Sequence, residues 1–275
     1  MKAALLQLNS SDDPQENLQN VSGLVQEAAD AGATFVLTPE VSNCVSTSRS
    51  HQDEVLDVED RDKMLAAMRC VAARLDVWLL LGSLALKSGD GKRFVNRSFL
   101  ISPDGKIAAR YDKIHMFDVS IGETEVYRES DGYRAGDKAV LGTVDGEPVG
   151  LTICYDLRFP YLFRGLAKAG ARILTVPSAF SPSTGKAHWE ALLRARAIET
   201  GCFVLAPAQC GVHPASRGRQ RKTHGHSLAV DPWGRILCDG GEVPGVNLVD
   251  LNMSEVDDAR RRIPSLTSEQ FYTKA

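Results

Sequence analysis

The chain has 275 residues, a net charge of -3 and 43% hydrophobic residues. This charge gives no global field that attracts nucleic acid or an anionic membrane, and no apolar run reaches the roughly 18 residues of a transmembrane helix. The six cysteines form no C-x-x-C pair, which favours reduced thiols in a cytoplasmic protein. No composition shift, repeat or linker divides the sequence, so we predict a single domain over residues 1–275.

Short, strongly apolar segments predict strands that are buried on both faces, as in α/β proteins. In chain order they are AALLQL from Ala3, TFVLTPE from Thr34, VWLLLGSL from Val77, VGLTIC from Val149, ARILTVPS from Ala171 and CFVLAPAQ from Cys202. The turns at residues 103–105 (Pro-Asp-Gly) and 232–234 (Pro-Trp-Gly) predict hairpins. Because hairpins add antiparallel pairs, we expect mixed sheets.

Helical patterns separate the predicted strands. The first helix has Asp13 as its N-cap and Pro14 at its first position. The predicted helices cover residues 14–32, 64–75, 160–170 and about 186–200. Residues 117–139 show no periodicity, and a loop of this length in a compact domain is usually functional or disordered. Its tyrosines and glutamates favour a position beside an active site.

Cys154 stands where the strand VGLTIC ends, shortly before the helix that begins at Pro160. Ligand sites in α/β sheets lie at the carboxyl ends of strands, and the turn offers backbone N–H groups, beginning with Tyr155, to an oxyanion. Buried cysteines are also common packing residues. Position alone therefore leaves both a nucleophile and a packing residue open.

A cysteine nucleophile needs a base or a lowered pKa. Glu40 ends the strand TFVLTPE, and Lys113 lies at the end of a hairpin strand. If both meet Cys154, the carboxylate takes the thiol proton while the ammonium and the Tyr155 N–H hold an oxyanion. That set suits acyl transfer at an uncharged carbonyl or nitrile carbon. Taken singly, Glu40 also fits a helix N-cap and Lys113 a surface charge.

Four segments carry a resemblance to the nitrilase superfamily of carbon–nitrogen hydrolases: TFVLTPE, YDKIHMFD, VGLTICYDLRFPYLFRGLAKAGARILTVPSAF and AHWEALLRARAIETGCFVLAPAQCG. The resemblance extends from Met1 to about Leu251 and includes GHSLAVDPWG. It implies an α/β fold, a four-layer α-β-β-α sandwich with mixed sheets, and pairing into a homodimer or a higher oligomer. Neither a cofactor nor a metal is expected.

The same resemblance assigns roles to particular residues. The Glu-Lys-Cys triad of the superfamily falls on Glu40, Lys113 and Cys154. Its usual second glutamate falls on Glu129, with Glu123 as the alternative position.

Within the superfamily, CYDLRFP, PSAFSPSTGKAHWE and LLRARAIETGCFVLAPAQCG are most similar to the amidases that act on deaminated glutathione. This similarity implies hydrolysis of a small acidic amide to 2-oxoglutarate and cysteinylglycine. Arg158 matches an arginine that binds a substrate carboxylate, with Tyr155, Phe180 and Thr184 beside it. An ion pair with Asp156 is the other role open to Arg158.

Alternatives remain at both levels. Within the superfamily they are an ω-amidase of α-ketoglutaramate, a nitrilase and a carbamoyl-amine hydrolase. From another class of function, a binding protein that keeps the fold without catalysis is the alternative, although the intact triad argues against it.

Two other patterns receive less specific interpretations. The spacing of Cys210, His213, His224 and His226 fits no common structural zinc site. The basic run over residues 217–222 indicates a solvated loop, also suited to flank a substrate entrance. Nucleic-acid binding is not expected, since the chain is net negative and has no recognised binding module.

Overall fold

The structure is a computed structural model that describes residues 1–89, 91, 93–121, 125–270 and 273. The strands are β1 (Lys2–Gln7), β2 (Phe35–Leu37), β3 (Trp78–Lys87), β4 (Phe94–Ile101), β5 (Ile107–Asp112), β6 (Asp118–Ile121), β7 (Glu125–Arg128), β8 (Val140–Val144), β9 (Glu147–Leu151), β10 (Ile173–Thr175), β11 (Phe203–Ala206), β12 (Cys210–Val212), β13 (Lys222–His224), β14 (Leu228–Val230), β15 (Ile236–Asp239) and β16 (Gly245–Asp250). The helices are α1 (Pro14–Asp30), α2 (Arg49–Val55), α3 (Lys63–Leu75), α4 (Pro160–Lys168), α5 (Pro182–Thr200) and α6 (Ser254–Arg262).

Within the described residues, two six-stranded sheets form the centre of the molecule. The first has the strand order β16-β1-β2-β3-β4-β5 and the second β15-β14-β11-β10-β9-β8. In the first sheet, β1, β2 and β3 run parallel, and in the second, β9, β10 and β11 do so. Antiparallel strands complete both sheets on each side. Both sheets are therefore mixed, as predicted.

Alternate residues of β1 show how the layers stack. Ala3 and Leu5 belong to the core that includes Leu151 and Leu174 of the second sheet. Ala4 and Leu6 instead belong to the core beneath α1 and α3. Such alternation is expected because successive side chains of a strand point to opposite faces.

The second sheet is covered in turn by α4 and α5, whose Phe163 and Leu193 are fully buried in its core. The resulting order of layers is helix, sheet, sheet, helix. This confirms the predicted four-layer α-β-β-α sandwich.

Two predicted boundaries differ from the structure. The helix predicted from about Lys186 begins at Pro182, because Ser181 is extended and proline fits the first turn of a helix. The segment over residues 117–139 contains the antiparallel pair β6–β7, in which Val119 faces Tyr127. Because both strands of this pair are partly exposed, they lack the apolar pattern that marks the buried strands.

Among the residues described, no helix combines the length and the apolar character needed to cross a membrane.

Candidate active site

The chain turns sharply where Cys154 follows β9. Cys154 opens a 3₁₀ turn over Cys154–Arg158 and has a left-handed backbone, with a φ of 48°. A non-glycine residue in this region carries roughly 1–2 kcal/mol of strain. The Cys154 N–H donates to the Pro177 carbonyl at 3.0 Å, and the Ile153 N–H donates to Oδ2 of Asp156 at 2.9 Å. These bonds fix the buried thiol at the carboxyl end of the strand.

Asp156 is fully buried and ties this turn to the end of β5. Its Oδ2 also accepts a hydrogen bond from the Tyr111 hydroxyl at 2.6 Å. Its Oδ1 accepts from the His115 N–H at 3.0 Å and lies 2.6 Å from Nδ1 of the same histidine. Since a buried carboxylate must be hydrogen-bonded or paired, these contacts account for its place in the core.

Glu40 is buried three residues beyond the end of β2. Its Oε1 accepts from Nζ of Lys113 and from Nδ2 of Asn96, both at 2.9 Å, and its Oε2 accepts from the Ala179 N–H at 2.9 Å. Close behind this turn passes Gly82 of β3, where a Cβ atom would lie 1.9 Å from a backbone carbonyl oxygen of the turn. Only glycine leaves room for this approach.

Lys113 directly follows β5 and is also buried. Its Nζ lies 3.0 Å from Oε1 and 2.8 Å from Oε2 of Glu129, in addition to its bond to Glu40. Glu129 opens a 3₁₀ turn after β7, and its Oε2 accepts from the Phe117 N–H at 2.6 Å. The lysine thus bridges both glutamates, whereas Glu123, the alternative second glutamate, lies outside the described residues.

Burial and charge together set the protonation states of this cluster. Burial alone would raise the pKa of Glu40, but the charges of Lys113 and Arg221 and the hydrogen bonds from Lys113 and Cys154 lower it below its ordinary value. Burial alone would lower the pKa of Lys113, but the charges of Glu129 and Glu40 raise it well above its ordinary value. Glu40 is therefore a carboxylate and Lys113 an ammonium at neutral pH.

For the thiol of Cys154, burial and charge together favour the neutral form. Burial, followed by the negative charge of Glu40, raises the pKa of Cys154 far above its ordinary value, against the opposing charge of Lys113. Cys154 is therefore a neutral thiol next to a carboxylate. A thiol in this state becomes a nucleophile when the neighbouring base removes its proton.

These groups open into a cavity of about 680 Å³, a size typical of small-molecule sites. Seven of the residues predicted from the sequence line it: Glu40, Lys113, Glu129, Cys154, Tyr155, Phe180 and Thr184. The Tyr155 N–H has no acceptor among the described residues. The cavity therefore offers a thiol, a carboxylate, an ammonium and a backbone donor to the same bound molecule.

Residues 2–261 match the model of the carbon–nitrogen hydrolase family. The chain belongs to the carbon–nitrogen hydrolase family. This membership confirms the resemblance predicted from the sequence.

Proteins named as amidases are among the relatives of this carbon–nitrogen hydrolase. The chain is 39% identical over 273 residues to the deaminated glutathione amidase of Synechocystis sp., covering 98% of each sequence. The NitFhit protein of Caenorhabditis elegans is similar with a TM-score of 0.90 and 33% identity, over 98% of this chain and 65% of that chain. An amidase of the nitrilase superfamily from Nesterenkonia sp. AN1 has a TM-score of 0.78 and 26% identity, over 96% of this chain and 98% of that chain. One variant of that amidase shows the result of Michael addition of acrylamide at its active-site cysteine.

Arg158 of this carbon–nitrogen hydrolase is not among the described residues that line the cavity. The guanidinium carbon lies 5.5 Å from the centre of the Phe180 ring and 5.9 Å from that of Tyr155. Nη1 and Nη2 each lie 3.3 Å from Nδ1 of His188. The ion pair with Asp156 is not formed among the described contacts, because other donors occupy both oxygens of that carboxylate.

Sequence analysis did not identify several residues that line the cavity. Asn96 is a buried amide within the strand β4, and a side-chain amide inside a predicted strand could have marked it. Arg221 belongs to the basic run interpreted as a solvated loop that is also suited to flank a substrate entrance, and it lines the cavity and donates to the Ala179 carbonyl at 2.7 Å. Part of this basic run therefore forms a wall of the cavity. No pattern in the sequence indicated which residues of the run line the cavity.

Proposed function

We propose that this protein is a cysteine-dependent amidase that hydrolyses deaminated glutathione to 2-oxoglutarate and cysteinylglycine. The observation that carries the proposal is the buried cluster in which Lys113 joins Glu40 and Glu129 at 2.8–3.0 Å beside the thiol of Cys154. The substrate assignment is supported by the Synechocystis relative, which is named as an amidase of that compound.

In the first step, Glu40 accepts the thiol proton while Sγ of Cys154 attacks the amide carbonyl carbon. This assignment follows from the protonation states, since the carboxylate is ionised and the thiol is neutral. As the C–S bond forms, the carbonyl electrons move to oxygen and a tetrahedral oxyanion develops. Lys113 and the Tyr155 N–H stabilise that charge, a contribution typically worth about 10²–10³-fold in kcat for each donor.

In the second step, the oxyanion collapses and the C–N bond breaks. The leaving amine takes the proton held by Glu40, which restores the carboxylate and leaves a thioester on Cys154. Glu40 then removes a proton from water, the hydroxide attacks the thioester carbon, and the thiol leaves with that proton. Glu129 holds Lys113 in place throughout, because both of its carboxylate oxygens accept from Nζ.

The acyl part of the substrate is expected to bind beside Tyr155, Phe180 and Thr184. Phe180 and Tyr155 line the cavity with aromatic side chains, and Thr184 lines it with a hydroxyl-bearing one. The guanidinium carbon of Arg158 lies 5.5 Å and 5.9 Å from the centres of these two rings, and arginine binds a carboxylate through two parallel hydrogen bonds. We keep Arg158 as the proposed partner of the 2-oxo acid carboxylate.

Steady-state assays on a panel of amides test this function. We expect deaminated glutathione to have a kcat/KM at least about tenfold above those of 2-oxoglutaramate, a neutral aliphatic amide and a nitrile of similar length. A preference for 2-oxoglutaramate would instead make the protein an ω-amidase. No hydrolysis of any compound, with a thiol at Cys154 that alkylating reagents do not modify, would favour the non-catalytic alternative.

We further propose a single domain in a cytoplasmic homodimer or higher oligomer that removes a damaged metabolite. All six cysteines are free thiols, which supports a reducing compartment. Ile198 on α5 and Trp233 in the neighbouring turn are 51% and 43% exposed, which supports association through this apolar surface. Sedimentation equilibrium decides the oligomer, since a monomer at micromolar concentration would contradict it.

A further inference from the structure

The cavity is strongly basic although the whole chain is acidic. Its described lining includes six basic side chains and two acidic ones, and both acids, Glu40 and Glu129, are bound to Lys113. The remaining basic residues that line it are Arg49, Arg128, Arg219, Arg221 and Lys222. A concave site lined by one sign of charge concentrates ligands of the opposite sign, so this cavity suits a molecule with more than one negative group.

Arg49 is held in place by a hydrogen bond and by packing against two aromatic rings. Its Nη1 donates to Oε1 of Gln52 at 2.9 Å, and its guanidinium carbon lies 4.9 Å from the centre of the Tyr133 ring and 6.0 Å from that of Phe94. The guanidinium also packs against Gly132, where a Cβ atom would lie 2.1 Å from that carbon. A guanidinium fixed in this way loses little entropy when it binds a ligand.

The loop over residues 216–222 brings a second arginine to the same wall. The carbonyl of Arg219 accepts a hydrogen bond from the hydroxyl of Thr47 at 2.8 Å, two residues before Arg49. The loop is anchored at its start by Asp12, whose Oδ2 accepts from the N–H and the hydroxyl of Ser216, both at 2.8 Å. Arg49 and Arg219 therefore come from segments that are joined directly.

Arg221 differs from Arg49 and Arg219 because it interacts with the groups around Glu40. Its Nη2 donates to the Ala179 carbonyl, and its charge helps to lower the pKa of Glu40. It therefore acts on the reacting groups, while Arg49 and Arg219 have no hydrogen bond or ion pair with Glu40, Lys113 or Cys154 among the described contacts.

We propose that Arg49 and Arg219 form a subsite for the carboxylate at the C-terminal end of the amine half of the substrate. The substrate class would then be a peptide-like amide with a carboxylate on each side of the scissile C–N bond. This inference rests on the proposed function and adds the residues that recognise the leaving amine. Arginine suits the task because its planar fork binds a carboxylate through two parallel hydrogen bonds.

The test compares deaminated glutathione with its glycinamide analogue, in which the C-terminal carboxylate becomes a neutral carboxamide. For the wild-type protein we expect kcat/KM to favour the acid by about 10- to 100-fold. The difference should lie mainly in KM, because this remote contact is the same in the ground state and the transition state. Arg49→Ala and Arg219→Ala should each lower kcat/KM for the acid by about tenfold or more and leave the amide nearly unchanged. Arg49→Lys should retain part of the preference.

Arg217→Ala is the matched control. Arg217 lies in the same loop, pairs with Glu54 at 2.8 Å and is not among the described lining residues, so its loss should leave the preference intact. The subsite is wrong if the wild-type protein hydrolyses both compounds equally well, or if the Arg49 and Arg219 variants lose the same factor on both. If the wild-type protein hydrolyses neither compound, both the proposed function and the subsite are wrong. Failure of the subsite alone is therefore distinguishable from failure of the proposed function.

Discussion

At the scale of single residues, the chemistry depends on how Glu40 is held. Oε1 accepts from Lys113 and Asn96, and Oε2 accepts from the Ala179 N–H. Because its folded pKa is lowered, this pairing stabilises the folded state above the ordinary carboxyl pKa and is lost as the pH falls through the lowered value. The raised pKa of Lys113 gives stability below the ordinary lysine pKa that is lost at higher pH.

Asn96→Leu is expected to move the acid limb of kcat/KM toward higher pH. Removing the amide donor takes away a hydrogen bond to the ionised form of Glu40, so the pKa of Glu40 rises and the base is protonated more readily. We expect a loss of about tenfold in kcat/KM at pH 5 and a smaller one at pH 8, from the size of a hydrogen bond to a charged group.

Ser98→Ala is the control for Asn96→Leu. Ser98 is buried on the same face of β4 and donates to the Leu81 carbonyl at 3.2 Å, away from the glutamates. Its loss should reduce stability without moving the acid limb. Parallel pH profiles for wild type and Asn96→Leu would show that the amide only fills space.

At the scale of elements, the turn after β9 is the feature on which the proposed nucleophile, Cys154, depends. Cys154 has a strained backbone, and Asp156 fixes the turn by accepting from the Ile153 N–H, the Tyr111 hydroxyl and the His115 N–H. A strained backbone conformation persists only where contacts with the surrounding residues hold it in place. Catalysis should therefore be sensitive to a residue that does not itself contact the substrate.

Asp156→Asn is expected to lower both stability and kcat. One amide oxygen cannot replace two carboxylate oxygens, so an NH₂ group would face the backbone donors, at a cost of about 1–3 kcal/mol in the free energy of unfolding. Urea denaturation and steady-state kinetics measure the two effects. Asp231→Asn is the matched control, since Asp231 is equally buried and accepts from the N–H groups of Trp233 and Arg235 in another turn.

The control variant should lose stability but keep kcat. If Asp156→Asn and Asp231→Asn lose stability equally and both keep kcat, the turn after β9 does not depend on Asp156 for its active geometry.

Sequence patterns predicted the elements that are buried and apolar. The segment AALLQL became β1 and the stripe from Met64 to Leu75 became most of α3. The same patterns missed the pair β6–β7, because the side chains of β6 alternate between exposed and half-buried. Short-range apolarity therefore predicts the buried strands but not the strand pair that brings Glu129 to Lys113, and the four-layer sandwich was implied by the family resemblance.

At the scale of the whole molecule, the site is assembled from segments far apart in the chain. The resemblance to carbon–nitrogen hydrolases assigned Glu40, Lys113 and Cys154, and the structure brings them to a common cavity. The positions of Arg49 and Arg158 could not be predicted, because each guanidinium is placed by aromatic rings from other segments. Contacts of this kind depend on tertiary packing, which leaves no periodic mark in a single sequence.

The central claim is that Cys154 is the nucleophile of an amidase, and turnover by two matched cysteine variants tests it most directly. Cys44 is the control, since it is buried, lines the same cavity and has a pKa raised to about 12 by burial, while its Sγ contacts the Asp12 carbonyl and no charged group of the cluster. With deaminated glutathione as substrate, we predict that Cys154→Ala loses at least about 10³-fold in kcat while Cys44→Ala stays within about tenfold of wild type. Near-normal turnover by Cys154→Ala would contradict the account.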